Sequence, residues 1–524
     1  MSSEINRRNF MGTAAATGAF SIVPRHVMGG QGFVAPSDKL TMAHIGCGTE
    51  GTRELVTGLI QDPRVQIVAA CDVVKDSQDY LDWSKFGTRN TIRRVLERPS
   101  WGERDTGVRS GLDQFKEVVE AYYAKQKGYE NFKGCTAYND FRELLAKEKD
   151  LDCVKIMTPD HLHAAIGVAA MKLKKPILVH KPLANRMTEA RLVIETARKM
   201  NLPTHFMAYG QGAATERIIG SIKEGVIGPL REVHNWTDRP VWEQFTELPK
   251  DRPPVPPGMD WQLWLGPATD RPYHPSYTHM VFRSWYDFGG GCIADVGIYS
   301  LWPVFTALEA GPPLSARAWS THTCNAIDHV ANPIENDFAF PTASVIQFEF
   351  AARANWPAFQ VFWYDGGMQP RIPELDSDNG ALPPGGMLYV GDKGKILSAG
   401  GAPRLITAKG SAPLWRDAAP TGPRGGAGQT QGSPSASVPG RANDAWVQAF
   451  KGGERSPGDF LNSGPISETV CLAAVALRAG KVKSGVRTYP SPIKVLYDSA
   501  SMKITNLADA NKYLTREYRP GWEL

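Results

Sequence analysis

From Leu40 the chain reads LTMAHIGCGTEGTRELVTGLIQDPRVQIVAACDVV: a short apolar run, a glycine turn, a helix-compatible stretch closed by Pro63, and a second β-branched run ending at Asp72. That succession predicts a β-α-β unit. Beyond residue 133 the alternation resumes, with helix FRELLAKEKD, strand LDCVKIMT, helix HAAIGVAAMKLK, strand PILVH, helix MTEARLVIETARKMN and strand PTHFMAY. Strands alternating with helices of this length predict an α/β fold, a doubly wound Rossmann domain over residues 38–210. Residues 75–133 interrupt the pattern with charged, helix-compatible sequence and are expected to be an insertion with a solvated face. After Tyr209 the chain turns aromatic and proline-rich, then β-rich in ASVIQFEFAA, FQVFWYDG and GMLYVGDKGKILSAG. Residues 211–524 are therefore expected to form an α+β domain on a large, mostly antiparallel sheet, with a Gly/Pro/Ser-rich surface loop at 409–441.

Composition changes this picture little. The 524 residues suffice for two domains, and 42% hydrophobic with 22% charged residues is ordinary for a globular chain. The 59 basic and 54 acidic residues are interleaved, so the formal charge of +5 leaves no footprint for nucleic acid, and a small-molecule partner is expected. Seven scattered cysteines lack the spacing of a zinc site, and no metal is expected. No unbroken apolar run approaches the roughly 18–20 residues of a membrane span. At the N-terminus, NRRNFMGTAAATGAFSIVPRHVMGG places Arg7 and Arg8 before Phe10 and a weakly apolar stretch. Residues 1–37 resemble a twin-arginine export signal, which implies a periplasmic or otherwise exported protein.

Gly46-Cys47-Gly48-Thr49-Glu50-Gly51 matches G-x-G-x-x-G between a strand and a helix. The first glycine can make the tight turn, the second can admit a pyrophosphate to the backbone, and the third permits close helix packing. The helix start at Thr49 and Glu50 offers unpaired N–H groups to phosphate. Asp72, ending the next strand, is placed to accept ribose hydroxyls, which favours NAD over NADP.

PILVHKPLA, together with the upstream IMTPDHLHAAIGVAAMKLKK, resembles the glucose-fructose oxidoreductase, inositol dehydrogenase and MocA (Gfo/Idh/MocA) superfamily. The resemblance implies that Thr158, Pro159, Asp160 and His163 lie beside the cofactor, followed by His180-Lys181-Pro182. Asp160 stands where the family has Asn, and His180 where it has Glu. Lys181 is implied to sit between nicotinamide and substrate, where its charge stabilises developing alkoxide, while His180 packs against the cofactor or takes part in catalysis. The family's G-G-G-x-x-x-D-x-G-x-H segment corresponds to Gly289, Gly290, Gly291, Asp295, Gly297 and Tyr299, so the usual histidine is a tyrosine. A phenol near pKa 10 needs a cation to act as a base, and Lys181 is the expected one. Asp295 is expected on a substrate hydroxyl. Six tryptophans between residues 236 and 302 suit either a core or a sugar surface; Arg283 and Trp285 are the candidates for substrate contact.

The resemblance implies an NAD-dependent oxidoreductase moving hydride between a tightly held cofactor and a hydroxyl or keto group of a sugar or glycoside. Two alternatives stay open, an NAD-dependent glycosidase and a catalytically quiet carbohydrate-binding member. A homo-oligomer formed through the C-terminal sheet is expected.

Overall fold

The computed structural model describes residues 38–128, 130–207, 213–353, 356–378, 381–415 and 445–524. The twin-arginine segment, 1–37, lies outside the described residues. The first sheet contains β1 (Leu40–Ile45), β2 (Val65–Cys71), β3 (Thr136–Tyr138), β4 (Cys153–Ile156), β5 (Ile177–Val179) and β6 (Thr204–Phe206), all parallel, in the order β3-β2-β1-β4-β5-β6. Helices cover both faces, so every residue of β4, β5 and β6 is buried, Lys155 included. The strand order reverses between β1 and β4, which opens a crevice at the carboxyl ends of these strands.

The insertion does more than present a solvated face. Its helix Leu112–Lys127 turns Phe115, Val118 and Val119 onto the first sheet, where they share a core with Ile67 and Leu55. Its charged residues point outward as expected, and Arg109 bridges Asp76 and Glu117 at the surface.

The second sheet has ten strands. Leu230–Trp236 lies between Phe359–Tyr364, its one parallel neighbour, and the antiparallel Gly386–Gly391; the remaining pairs are antiparallel. Burial alternates along Ser344–Phe350 and Phe359–Tyr364, because one face packs under helices Ile298–Thr306 and Phe460–Ala479 while the other leaves Gln347, Phe362 and Tyr364 half-exposed. Gly410–Pro413 is an edge strand of this sheet, which corrects the loop expected from residue 409; residues 416–444 are outside the described residues.

The boundary near residue 210 also needs correction, because the end of the chain returns to the first domain. Trp446 and Val447 are fully buried in the same core as Leu55 and Ile67. Helix Phe460–Ala479 is long and apolar enough to cross a membrane, yet it is largely buried, wedged against helix Met187–Met200 and the second sheet. Arg191 grips Glu468 through two hydrogen bonds of 2.6 and 2.8 Å, and Arg516 binds the buried Glu189.

Asp459 fastens this junction. Its carboxylate caps the helix at the Leu461 N–H and accepts from the Thr204 N–H, the Thr204 hydroxyl and Arg455. Asp459→Ala leaves buried donors without an acceptor and removes the cap, and should lower stability by on the order of 2–3 kcal/mol in urea unfolding. Lys250→Ala, at an exposed pair with Glu247, should leave the midpoint unchanged.

Candidate active site

The glycine loop is shaped by contact. Gly46 has φ +100°, and a Cβ there would fall 2.5 Å from the Met157 carbonyl carbon. A Cβ on Gly51 would fall 2.2 Å from the Gly46 oxygen, so the helix Thr49–Thr57 can pack on its own loop only without one. Gly48 precedes that helix with no side-chain cap, leaving its first N–H groups for a ligand. Asp72 follows β2 and accepts hydrogen bonds from the Cys47 and Val74 N–H groups, which tie it to the loop. Burial, partly offset by those bonds, pushes its carboxyl up to about 6.

Gly48, Thr49, Glu50, Gly51, Asp72, Thr158, Pro159, Asp160 and His180 line one cleft. An uncapped helix start, a side-chain-free approach at Gly48 and a carboxylate at the strand end fit a dinucleotide's pyrophosphate and ribose. The insertion supplies part of this cleft. The Tyr80 ring lies 3.1 Å from the Cβ position of Gly48, and its centroid is 4.0 Å from that of His279 in the second domain. Trp83 also lines the cleft and directs its indole N–H at Glu50, 3.5 Å away.

The second half of the site forms where the two domains meet. β5 delivers His180 and Lys181 to its carboxyl end, and both are buried. The Lys181 ammonium is hydrogen-bonded to Asp295, and the Arg283 Nε donates to the same carboxylate oxygen at 2.9 Å. Asp295 belongs to a π-helical turn, Ile293–Gly297, that opens helix Ile298–Thr306. This local widening carries Asp295 and Tyr299 on one side of the segment. Tyr299 places its hydroxyl 3.3 Å from His180 Nε2, with the Lys181 nitrogen 5.4 Å from its ring centroid.

The charges follow from these neighbours. Burial would raise the Asp295 carboxyl, but Lys181 and Arg283 outweigh it and hold the group far below the usual carboxylate range. Burial, then the Lys181 charge, keeps His180 well below 6.5 and therefore neutral. Glu50, 3.9 Å from His180 Nε2, is pulled down to about 2 against its burial by the charge and hydrogen bonds of Arg53. Asp160 accepts from the Gly290 N–H at 2.9 Å, joining the two domains, and its burial raises it above 3.8.

Two expected contacts are corrected. His163 does not line the cleft: its ring nitrogens face the Pro182 and Thr158 carbonyl oxygens at 2.6 and 2.8 Å, so it staples the two rim loops together. Trp285 is 1% exposed, donates its indole N–H to the Ser276 carbonyl and stacks with Phe245, so it is core rather than a sugar platform. Arg283 does line both clefts. Sequence reasoning missed Tyr80, Trp83, Arg53 and His279. The aromatic pair in DYLDW was a signal that the inserted segment has an inward side.

A second cleft of about 750 Å³ opens from Lys181, Asp295 and Tyr299. The second sheet forms one wall through Asn235 and Thr237, and the insertion forms the other through Trp83 and Thr88. This cleft thus presents a cation, a carboxylate and a hydroxyl together, and it shares Glu50, Trp83 and Arg283 with the first cleft.

Residues 83–207 match the model of an oxidoreductase family with an NAD-binding Rossmann fold, and residues 222–313 match that of the family's C-terminal alpha/beta domain. Levoglucosan dehydrogenase of Pseudarthrobacter phenanthrenivorans is 30% identical over 132 residues, 25% of this chain and 32% of the relative. The 2,7-anhydro-N-acetylneuraminate hydratase of Escherichia coli is 31% identical over 108 residues, 20% of this chain and 28% of the relative. Both matches therefore span about a third or less of the relatives' length. An oxidoreductase from Agrobacterium radiobacter, solved with NAD+, L-tartaric acid and magnesium, aligns with a TM-score of 0.47 at 16% identity over 86% of this chain and 98% of that one. With both domain models matched in order, and with the glycine loop and the Lys181–Asp295 pair in place, the chain belongs to the glucose-fructose oxidoreductase, inositol dehydrogenase and MocA superfamily of NAD-binding oxidoreductases.

Proposed function

We propose that this protein is an NAD-dependent oxidoreductase acting on a hydroxyl or keto group of a sugar or glycoside. The observation that carries the reading is the convergence of Lys181, Asp295 and Tyr299 in the second cleft, beside Arg283, which lines both clefts. Gly48, Thr49, Gly51 and Asp72 would hold the dinucleotide, and NAD, when bound, accepts or returns hydride. The chain's own residues handle the proton and the charge. The Lys181 ammonium stabilises negative charge developing on the substrate oxygen, at a buried position where water screens it little. Tyr299 receives the hydroxyl proton during oxidation and donates it during reduction, with Lys181 favouring its ionised form. Asp295, held ionised, anchors Lys181 and offers its other oxygen to a neighbouring substrate hydroxyl.

The sugar class is supported by the cleft's size, which exceeds a single pyranose, and by levoglucosan dehydrogenase among the relatives. Tight retention of the cofactor is supported by Tyr80, which packs on Gly48 and meets His279 of the second domain in the wall of the first cleft. Such retention suits an exported protein, as the twin-arginine pattern suggests, because a compartment without free nicotinamide requires recycling in place. The half-exposed Phe362, Tyr364 and Trp319 on the uncovered face of the second sheet support a homo-oligomer formed there.

The test is to denature purified protein, identify the released nucleotide, and screen the holoenzyme against glycosides for absorbance change at 340 nm and for keto-sugar. Released aglycone without net reduced cofactor would replace this reading by the oxidation, elimination and re-reduction of a glycosidase. Lys181→Met should lower kcat by about 10³-fold or more while the nucleotide stays bound, and a variant retaining normal turnover would refute the assignment. A neutral His180 contributes no ionisation to the rate. His180→Gln should therefore leave the acid limb of the kcat/KM profile where the wild type has it; a wild-type limb near 6.5 that disappears in the variant would contradict this.

A further inference from the structure

We propose that Asp82 and Trp83 of the insertion form a second sugar subsite, so that the substrate is a glycoside of at least two rings: one reacts beside Lys181 and Tyr299, and its neighbour rests on Trp83. The proposal deepens the oxidoreductase reading of the same cleft and rests on it for the place of the reacting ring, but binding at the second subsite does not depend on hydride transfer.

Among the tryptophans lining the second cleft, Trp236 is 1% and Trp363 0% exposed, so neither offers a face to a ligand, whereas Trp83 is half-buried and lines both clefts. One face of the Trp83 ring is covered by the buried Arg239, whose guanidinium carbon is 4.4 Å from the ring centroid. The indole N–H points at Glu50. The ring is thus held from behind and along its polar edge, and the surface it leaves to the cleft is aromatic carbon. A pyranose presents C–H groups on its face, and an aromatic surface already fixed in place covers them without further ordering of the protein.

The neighbouring side chain supplies the polar half. The Asp82 carboxylate lines the same cleft, and each of its oxygens accepts one backbone N–H, from Trp83 at 2.7 Å and from Thr88 at 2.8 Å. Each oxygen keeps a further acceptor site, which suits adjacent sugar hydroxyls. Thr88 is 4% exposed, and its hydroxyl, which has no hydrogen-bond partner among the described residues, belongs to a residue that also lines the cleft. On the facing wall Gly385, Gly386, Gly400 and Gly401 bring no side chain into the space; a Cβ at Gly386 would fall 2.4 Å from the Trp236 ring, and one at Gly401 would meet nothing within 4 Å.

Trp83 stands apart from the reacting groups. Glu50 lies between the indole and His180, and His180 between Glu50 and Tyr299, at successive separations of 3.5, 3.9 and 3.3 Å. A cleft of about 750 Å³ is in the range that takes drug-sized ligands, so a single pyranose seated at Lys181 leaves the Asp82 end unfilled. The hydroxyl donors that Asp82 can accept favour a second sugar over an apolar aglycone.

The measurement is calorimetric titration of the NAD-loaded protein with methyl glucoside, galactoside and mannoside, with methyl disaccharides that carry each of these as one ring, and with the matching phenyl glycosides. At least one disaccharide should bind about 20-fold or more tightly than its methyl monosaccharide, the combined effect of hydrogen bonds to a charged acceptor and a stacked ring, and no phenyl glycoside should gain as much. In Trp83→Ala the ratio should fall to within about threefold, and Trp83→Phe, which keeps an aromatic face, should restore most of it. Equal affinities across every pair, a phenyl glycoside matching the best disaccharide, or an undiminished ratio in Trp83→Ala would overturn the proposal, as would loss of the nucleotide from that variant, which would assign the ring to the cofactor. The wild-type comparison stands even if the variants do not fold. Absorbance at 340 nm in the same samples separates the two readings. Disaccharide preference without cofactor reduction counts against the oxidoreductase and leaves the subsite intact, whereas turnover of monosaccharides without disaccharide preference does the reverse.

Discussion

The buried ion cluster of Lys181, Asp295 and Arg283 is the contact on which the rest of this molecule depends. Lys181 stands at the end of a strand in the first domain, while Asp295 and Arg283 come from a π-helical turn and a short 3-10 helix, His279–Ser284, of the second. Two desolvated charges repay their dehydration only with good geometry and further partners, and the cluster meets both conditions with two donors on one carboxylate oxygen. Removing either partner would strand the other. The catalytic rim is therefore a property of the docked pair of domains, and neither domain holds it alone.

Several other contacts keep that docking in place. Asp160 receives the Gly290 N–H across the same interface, and His163 holds the two rim loops of the first domain at a fixed spacing. On the far side, helix Phe460–Ala479 and the following tail lock the two sheets together through Arg191–Glu468 and Arg516–Glu189. A rigid frame of this kind lets a lysine and a tyrosine remain poised without covalent restraint.

The departures from the family pattern form a connected arrangement. A carboxylate is missing at position 180, where the chain has histidine, and Glu50 of the glycine loop stands 3.9 Å from that ring. The tyrosine that replaces the second-domain histidine contacts the same imidazole nitrogen. A neutral ring thus lies between Glu50 and Tyr299. Trp83 of the insertion reaches Glu50 and shields Arg239, so a segment with no counterpart in the bare β-α-β pattern helps shape the site.

Local periodicity made much of this legible. The glycine loop, the alternation of β4, β5 and β6 with their helices, and Asp72 could be read from the chain, because each depends on short-range spacing, whereas Lys181, Asp295 and Tyr299 were singled out by the family resemblance. Other features depended on long-range packing. Trp285 looked like a sugar platform and proved to be core, since exposure is set by neighbours distant in sequence. The return of Trp446 and of helix Phe460–Ala479 to the first domain and the inward side of Tyr80 and Trp83 were invisible for the same reason. Spacing along a chain fixes which residues can share a strand or a turn; which of them lose water, and which charge is left without a partner, is decided only when separate segments close on one another.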